Sequence, residues 1–435
     1  MPEIKPFRAW RYNLKKIGDP SLVVAPPYDV ISRDEQEKLY QRSPYNVIRL
    51  ELGKDNPGDT EKANVYTRAR DCLRDWKSSQ AMIREAFPCL YISVQNYSEE
   101  GKPKTRIGFY GAMKLDEHAV RKHENTLNGP KEDRLKLIKE VGTNLSPIFG
   151  LFEDTKGTVQ AALRKSLKKK PLLDISIAGV RHRLYEENRP DLIQTVTRAM
   201  KSKPMFIADG HHRFEVALQY KKWMKARTLR ASRAGDAEWE YVLTYFSDCL
   251  HNPFKIFPTH RLIRLPKGKS LLQELKKAGS LRKVAGLKEV LTHLEKTRQE
   301  TKVKHYTFGL YSSEDGFYLL TLDKKTVSGI KKNPVETLDV AVLHQQILEP
   351  FFGIRLESAH GGARSKDLEF TRDANEAVEK VRNGLFHAAV FLRPASLGEM
   401  LLVSKKGLKM PQKSTYFYPK LLTGLVFHGL ETEHS

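Results

Sequence analysis

Apolar positions along this chain alternate between two periods, and the sharpest switch lies at residues 204–220. Met205-Phe206-Ile207-Ala208 is an apolar run after Pro204, the length of one buried strand. Phe214, Val216, Ala217, Leu218 and Tyr220 then continue as a helix-forming segment. Asp209-Gly210-His211-His212-Arg213 lies between them, so the pattern predicts strand, tight turn, helix, with Asp209 as the helix cap. Gly210 tolerates a backbone angle that a side chain would resist.

The same patterning predicts the other elements. Val23 to Ile31 is apolar but broken by Pro26-Pro27 and reads as a loop; Ser32-Arg33-Asp34-Glu35 is a capping box that opens a helix. Tyr45 to Leu52 alternates and predicts a strand, and residues 61–84 a helix. Cys89–Tyr97 and Thr105–Leu115, separated by a glycine-containing turn, predict a hairpin. A helix is expected from Pro130 to Gly142, a strand over Leu145–Phe152, a basic helix over 156–170 and a strand over Tyr241–Asp248. Beyond Arg261, Lys-rich helices are expected over 269–300, a hairpin over His305–Leu322, and a helix from Thr337 that stops at Pro350. A further helix over 371–384 precedes a buried strand at Ala388–Leu392. The prediction is a mixed α/β (α+β) protein with one region over 1–260 and a second α/β region over 261–435. No internal repeat is present.

Composition narrows the class. The chain has 435 residues, 40% hydrophobic and 29% charged, which fits a globular protein of two regions. No run approaches the roughly 18 apolar residues of a membrane span. The N-terminus lacks a signal pattern, and Cys72, Cys89 and Cys249 form no close pair, so a reduced, cytoplasmic setting without a disulfide framework is expected. Lysine and arginine total 75 against 52 acids, a net charge of +23. Such an excess suits phosphorylated small molecules, pyrophosphate or nucleic acid without choosing among them. The runs at Lys165–Lys170 and Lys221–Arg233 fit a solvated surface equally well.

Three clusters carry candidate chemistry. The turn at 209–213 offers a carboxylate, two imidazoles and a guanidinium at a helix start, the equipment for holding a phosphate or a metal–phosphate. His123 to Arg134 sets a second charged group beside another helix start, where Glu132 and Asp133 would equally complement the helix dipole. Near the C-terminus, Lys413, Ser414 and Thr415 are suited to phosphate, or form a basic loop packed for stability. There is no P-loop (Ile263 stands where Gly268-Lys269-Ser270 would need a glycine), no H-E-x-x-H helix and no G-x-S-x-G elbow.

Ala25-Pro26-Pro27-Tyr28-Asp29-Val30, His123-Glu124-x-Thr126, Lys131-x-Asp133-Arg134, Ala208 to Arg213 and Met410 to Lys420, in this order, resemble domain-of-unknown-function family 1015. The resemblance runs from about residue 3 to 427. That family is grouped with the ParB/sulfiredoxin-like superfamily, which includes free L-serine kinases, and some members are regarded as pyrophosphate-using serine kinases. The resemblance implies a ParB/sulfiredoxin-like catalytic core, completed by a C-terminal region whose terminal loop returns to the site. It implies transfer of a phosphoryl group from pyrophosphate, ATP or ADP to free L-serine, with Mg²⁺ as cofactor. Glu124, Asp209 and His212 would be catalytic, with Glu124 taking the hydroxyl proton and Glu51 as the runner-up. Asp209 and Asp133 would hold the metal. Arg134, Gly210, His211, Arg213, Lys413, Ser414 and Thr415 would bind phosphate, and Tyr28, Asp29, His123 and Thr126 the acceptor. The competing reading is a ParB-like nucleic-acid- or nucleotide-binding regulatory protein, with Lys221, Lys222 and Lys225 as contacts.

Overall fold

The computed structural model describes residues 2–124, 128–227, 237–297, 306–330, 333–355, 367–411 and 414–431. The chain folds as a mixed α/β protein in two units, one from residues 1–121, 129–254 and 419–435, the other from 122–128 and 255–418. No helix among the described residues is long and apolar enough to cross a membrane.

The first unit is built on a nine-stranded sheet. In chain order its strands are β1 (Ile4–Lys5), β2 (Leu90–Glu99), β3 (Lys102–Lys114), β4 (Val120–Arg121), β5 (Ile148–Phe152), β6 (Leu173–Ile177), β7 (Val180–Glu187), β8 (Met205–Asp209) and β9 (Tyr241–Asp248). Across the sheet they run β4-β8-β5-β9-β3-β2-β7-β6, with β1 also on β3. The hairpin β2–β3 forms at the predicted place, and Glu100 and Gly101 turn it with φ of 51° and 76°. Helices α1 (Arg33–Arg42), α2 (Val65–Ser78), α3 (Asn128–Val141), α4 (Thr158–Ser166), α5 (Pro190–Met200) and α6 (His211–Arg227) accompany the sheet. One core joins strand residues such as Ile92, Phe109, Ile148, Met205 and Phe246 to Leu163, Val196 and Phe214 from the helices.

The second unit has a six-stranded sheet of β10 (His260–Ile263), β11 (Gly279–Val284), β12 (Thr307–Ser312), β13 (Gly316–Leu322), β14 (Leu368–Thr371) and β15 (Ala388–Phe391), ordered β11-β13-β12-β15-β10-β14. Its core packs Leu262, Leu319 and Phe391 against Val290, Leu294, Val378 and Val381 from two helices.

Four predicted elements differ. The helix expected over 61–84 spans Val65–Ser78, and Met82–Arg84 instead forms a strand paired with Trp10–Tyr12. Tyr45–Leu52 contains a single helical turn, Ile48–Glu51, where a strand was expected. Asn46 explains the change: its amide donates to the carbonyls of Leu22 and Val24, and its Oδ1 accepts from the Ile48 amide at 3.0 Å. A side chain thus supplies the partners that a neighbouring strand would have given. Within the Lys-rich stretch 269–300, β11 forms an edge strand, a place where lysines are tolerated because one side faces no partner. The helix predicted to stop at Pro350 continues through Phe352. A wider π turn over His344–Leu348, with Glu349 N–H on the His344 carbonyl, relieves the proline's clash with the preceding turn. The hairpin β6–β7 and helix α5 had no counterpart among the predicted elements.

Candidate functional site

The organising turn forms as its sequence dictates. β8 is buried to Ala208 and its register against β5 shifts between Ile207 and Asp209, so Asp209 ends the strand. Gly210 has φ of 91°, and a Cβ there would meet the Arg213 guanidinium carbon at 3.1 Å. The backbone angle therefore favours glycine, and an added carbon would also crowd the Arg213 guanidinium. Helix α6 starts at His211, which is buried, while His212 is half-buried.

Asp209 is held by two cations. Its Oδ2 lies 3.3 Å from Arg213 Nη2 and 3.4 Å from Lys420 Nζ, and the three side chains are 21%, 13% and 14% exposed. Burial pushes the Asp209 carboxyl up, but Lys420, Arg213 and His211 together outweigh it and hold the group well below the usual carboxylate range. Arg213 also donates to the Pro147 carbonyl. Two cations against one carboxylate leave the turn positive at the start of a 17-residue helix, which favours an anion.

Lys420 reaches the turn because a buried polar clamp fixes its backbone. Arg106, fully buried on β3, donates to the Pro419 carbonyl and through Nε to Gln95 Oε1 at 2.8 Å. Gln95 Nε2 in turn donates to the Lys420 carbonyl at 3.1 Å. The Arg106 guanidinium lies over the rings of Phe149 and Phe254, at 5.0 and 5.7 Å, and burial lowers its pKa. The C-terminal residues 419–420 therefore belong to the same unit as the turn, joined to it through the sheet.

A second charged cluster adjoins Tyr28. Arg134 on α3 is buried, bonds Asp133 Oδ2 through Nε at 2.7 Å, and donates to the Glu51 carbonyl. Asp133 also accepts from the Tyr66 hydroxyl at 2.8 Å, so both of its oxygens are engaged. Glu51 is buried, takes Ser146 Oγ at 2.9 Å and lies 3.9 Å from Arg134 Nη1. The Arg134 guanidinium stands 4.5 Å from the Tyr28 ring centre. Burial pushes the Tyr28 hydroxyl up to about 12 against the pull of Arg213 and Arg134. Tyr28 thus lies in the field of both guanidinium groups, and its ring contact is with Arg134. Asp29 sits in the same short helical turn as Tyr28.

In the second unit, His123 and Glu124 adjoin the terminal loop. Met410 N–H donates to the His123 carbonyl at 2.6 Å, and Glu124 forms a parallel bridge with Met410. His123 Nε2 is 3.3 Å from Thr415 Oγ1, and Ser414 Oγ donates to the Pro411 carbonyl. Thr126 and Lys413 lie outside the described residues. Sequence reasoning did not list Lys420 or Arg106. The signal for Lys420 was present, as the last residue of the terminal motif, whereas nothing in the local sequence of β3 marks Arg106.

Among the described residues, no three His, Cys, Asp or Glu side chains converge as a metal-holding group. A single carboxylate such as Asp209 is nevertheless compatible with Mg²⁺, which commonly takes one or two carboxylates and completes its shell with substrate phosphates and water.

Residues 4–341 match a family described as a protein of unknown function, DUF1015. Among solved structures, the chain is similar to a mutant free serine kinase in complex with AMP, at 14% identity and a TM-score of 0.35, covering 71% of this chain and 87% of that one. A free serine kinase in complex with AMP gives 13%, 0.35, 71% and 86%. A conserved hypothetical protein from Pyrococcus furiosus gives 13%, 0.34, 72% and 92%. No curated protein matches the chain.

Proposed function

The chain belongs to the DUF1015 family, and from that premise and the geometry of the turn we propose that it is a small-molecule phosphotransferase. The reaction moves a phosphoryl group from pyrophosphate, ATP or ADP to the hydroxyl of free L-serine, giving O-phospho-L-serine. The observation that carries the reading is the carboxylate of Asp209 between Arg213 and Lys420 at a glycine turn that opens a long helix.

Phosphoryl transfer asks for positive charge around the transferring group, a carboxylate for the metal, and an acceptor for the hydroxyl proton. Arg213 and Lys420 supply the first, together with the backbone around Gly210 and the imidazoles of His211 and His212. Both cations are mostly buried, so they act with less screening than surface charges would. When a phosphate enters, Arg213 and Lys420 can turn from Asp209 to its oxygens, and the freed carboxylate faces the metal side. A bound Mg²⁺ would neutralise phosphate charge. Tyr28 and Asp29 are assigned the acceptor's polar groups, and the proton-accepting role of Glu124 and the acceptor role of His123 rest on the family resemblance. The phosphate role of Lys413, Ser414 and Thr415 likewise rests on the sequence motif. Arg134 orients Tyr28 from beneath its ring. Asp133, engaged by Arg134 and Tyr66, would have to give up one of those contacts to reach a metal. Its most direct effect is to fix Arg134.

The test is incubation of the purified protein with Mg²⁺ and serine, separately with pyrophosphate, ATP and ADP, followed by detection of phosphoserine. Formation with one donor and not the others supports the reading and names the donor. Absence of phosphoserine with all three overturns it.

A further inference from the structure

The excess positive charge is not spread evenly. From Lys156 to Lys203 there are twelve lysines and arginines against four acids, so this stretch supplies a third of the net charge from about a ninth of the chain. It comprises α4, the β6–β7 hairpin and α5, and the two helices pack against each other. Thr155, Lys156 and Thr158 at the start of α4 share an open cleft of about 440 Å³ with Thr195, Arg198, Ser202 and Lys203 at the end of α5. The helices are therefore antiparallel. The C-terminal end of α4, with Arg164, Lys165, Lys168 and Lys170, is exposed beyond the other end of the pair.

Ion pairing separates this face from ordinary charged surface. Lys169 and Arg189 pair with Glu187, Arg181 with Asp174, and Lys203 with Asp154. Lys156, Arg164, Lys165, Lys168, Lys170, Arg198 and Lys201 make no ion pair with any described carboxylate. Among the described residues of the other basic run, Lys221 donates to the Leu115 carbonyl, Lys225 pairs with Glu240, and Arg227 lies over Trp223. The first amides of α4 are occupied as well, since Asp154 accepts from Val159 and Gln160, so side chains and not the helix end make the cleft positive.

We propose that the α4–α5 face binds the phosphodiester backbone of nucleic acid. Besides Ala199, the cleft is lined by cations and hydroxyls, the groups that contact phosphate, and the exposed Asp191 at the start of α5 is the one carboxylate on the two helices among the described residues. No large hydrophobic side chain is exposed on it among the described residues, so it lacks both an anchor for a lipid surface and the apolar centre of a protein–protein interface. α4 has nine residues, about 13 Å of helix, and the loop residues at its two ends lengthen the strip to about 20 Å, several phosphates of a duplex. No aromatic ring lines the cleft, so contact is with the backbone and carries no base preference.

The experiment uses the full chain and a fluorescently labelled 20-base-pair duplex of random sequence, with anisotropy read from low to moderate salt. The parent is expected to bind with log K falling against log salt by a slope of about −3.6 to −5.4, the release expected for four to six phosphates. A variant carrying Arg164→Glu, Lys165→Glu, Lys168→Glu and Arg198→Glu, with an unchanged thermal midpoint, is expected to bind at least tenfold more weakly with a shallower slope. A control carrying Lys276→Glu and Lys277→Glu in the second unit is expected to bind like the parent. No binding by the parent at low salt, equal losses in variant and control, or binding only to phosphatidylserine vesicles would each overturn the proposal. Phosphoserine formation by the variant is expected to match the parent, which keeps this surface separate from the chemistry at Asp209.

Discussion

Replacing Lys420 with methionine removes one of the two cations on Asp209 while keeping most of the aliphatic stem. At 3.4 Å, with an effective dielectric constant of about 20, the gross attraction is about 5 kcal/mol. Both side chains keep some solvent, and taking both out of water offsets most of that attraction, so the net loss at neutral pH is expected to be about 1–2 kcal/mol. Arg213 remains to hold the carboxylate. The pH dependence carries the signature of the pair. The folded Asp209 carboxyl lies below its unfolded value, so its contribution is fully present above the ordinary carboxylate pKa of about 3.9 and is lost as pH falls through the depressed folded one. Urea unfolding is therefore expected to give a constant difference between parent and variant from pH 8 to 5, narrowing only below about pH 4. Calorimetric titration with pyrophosphate in Mg²⁺ is expected to show affinity about tenfold to a hundredfold lower, the effect of losing one charge-assisted contact. If stability falls as described but pyrophosphate binds within threefold of the parent, Lys420 only ties down the C-terminus and the anion site is misassigned.

Gly210→Ala is expected to lower stability by about 1–2 kcal/mol in urea unfolding and to displace Arg213, because φ is 91° and the added carbon meets the guanidinium. Arg106→Met leaves the Pro419 carbonyl and Gln95 Oε1 without their buried donor; a loss of about 2–4 kcal/mol in urea and faster proteolysis of the C-terminus are expected. In the second unit, burial holds His260 at about 4 and His344 at about 2, below the ordinary 6.5. Both are neutral when folded, so the unfolded chain binds more protons below about pH 6.5. Stability of this unit should then fall steadily from pH 6.5 towards 4, and His344→Gln should flatten that slope in pH-dependent thermal melts.

Elements whose signals are local were legible in the sequence. Met205–Asp209 followed by α6, the β2–β3 hairpin with its Glu100-Gly101 turn, and the strand Tyr241–Asp248 all follow from apolar period and turn chemistry. Ile48–Glu51 was misread because alternation alone does not reveal an asparagine that bonds to a distant loop. The helix through Pro350 was cut short because a π turn leaves no local mark. At the site, the residue types of the 209–213 turn pointed to an anion, but the cation that reaches it from residue 420 depends on contacts with Gln95 and Arg106, more than 300 residues away in sequence. Asp209, read as a helix cap, makes ion pairs to Arg213 and Lys420. Such long-range pairing has no period for a sequence to display.

Phosphoryl transfer at the 209–213 turn is tested most directly by the turnover of three near-isosteric or truncating variants beside the parent. Asp209→Asn, His212→Ala and Glu124→Gln are each assayed for phosphoserine with the donor that the parent uses, after thermal melts confirm that they fold. Loss of one electrostatic or acid–base contact lowers turnover by about two to four orders of magnitude. Folded proteins with losses of that size are expected. If all three variants turn serine over within about threefold of the parent, under 1 kcal/mol of barrier, then Asp209 serves the fold alone and the site does not catalyse this reaction.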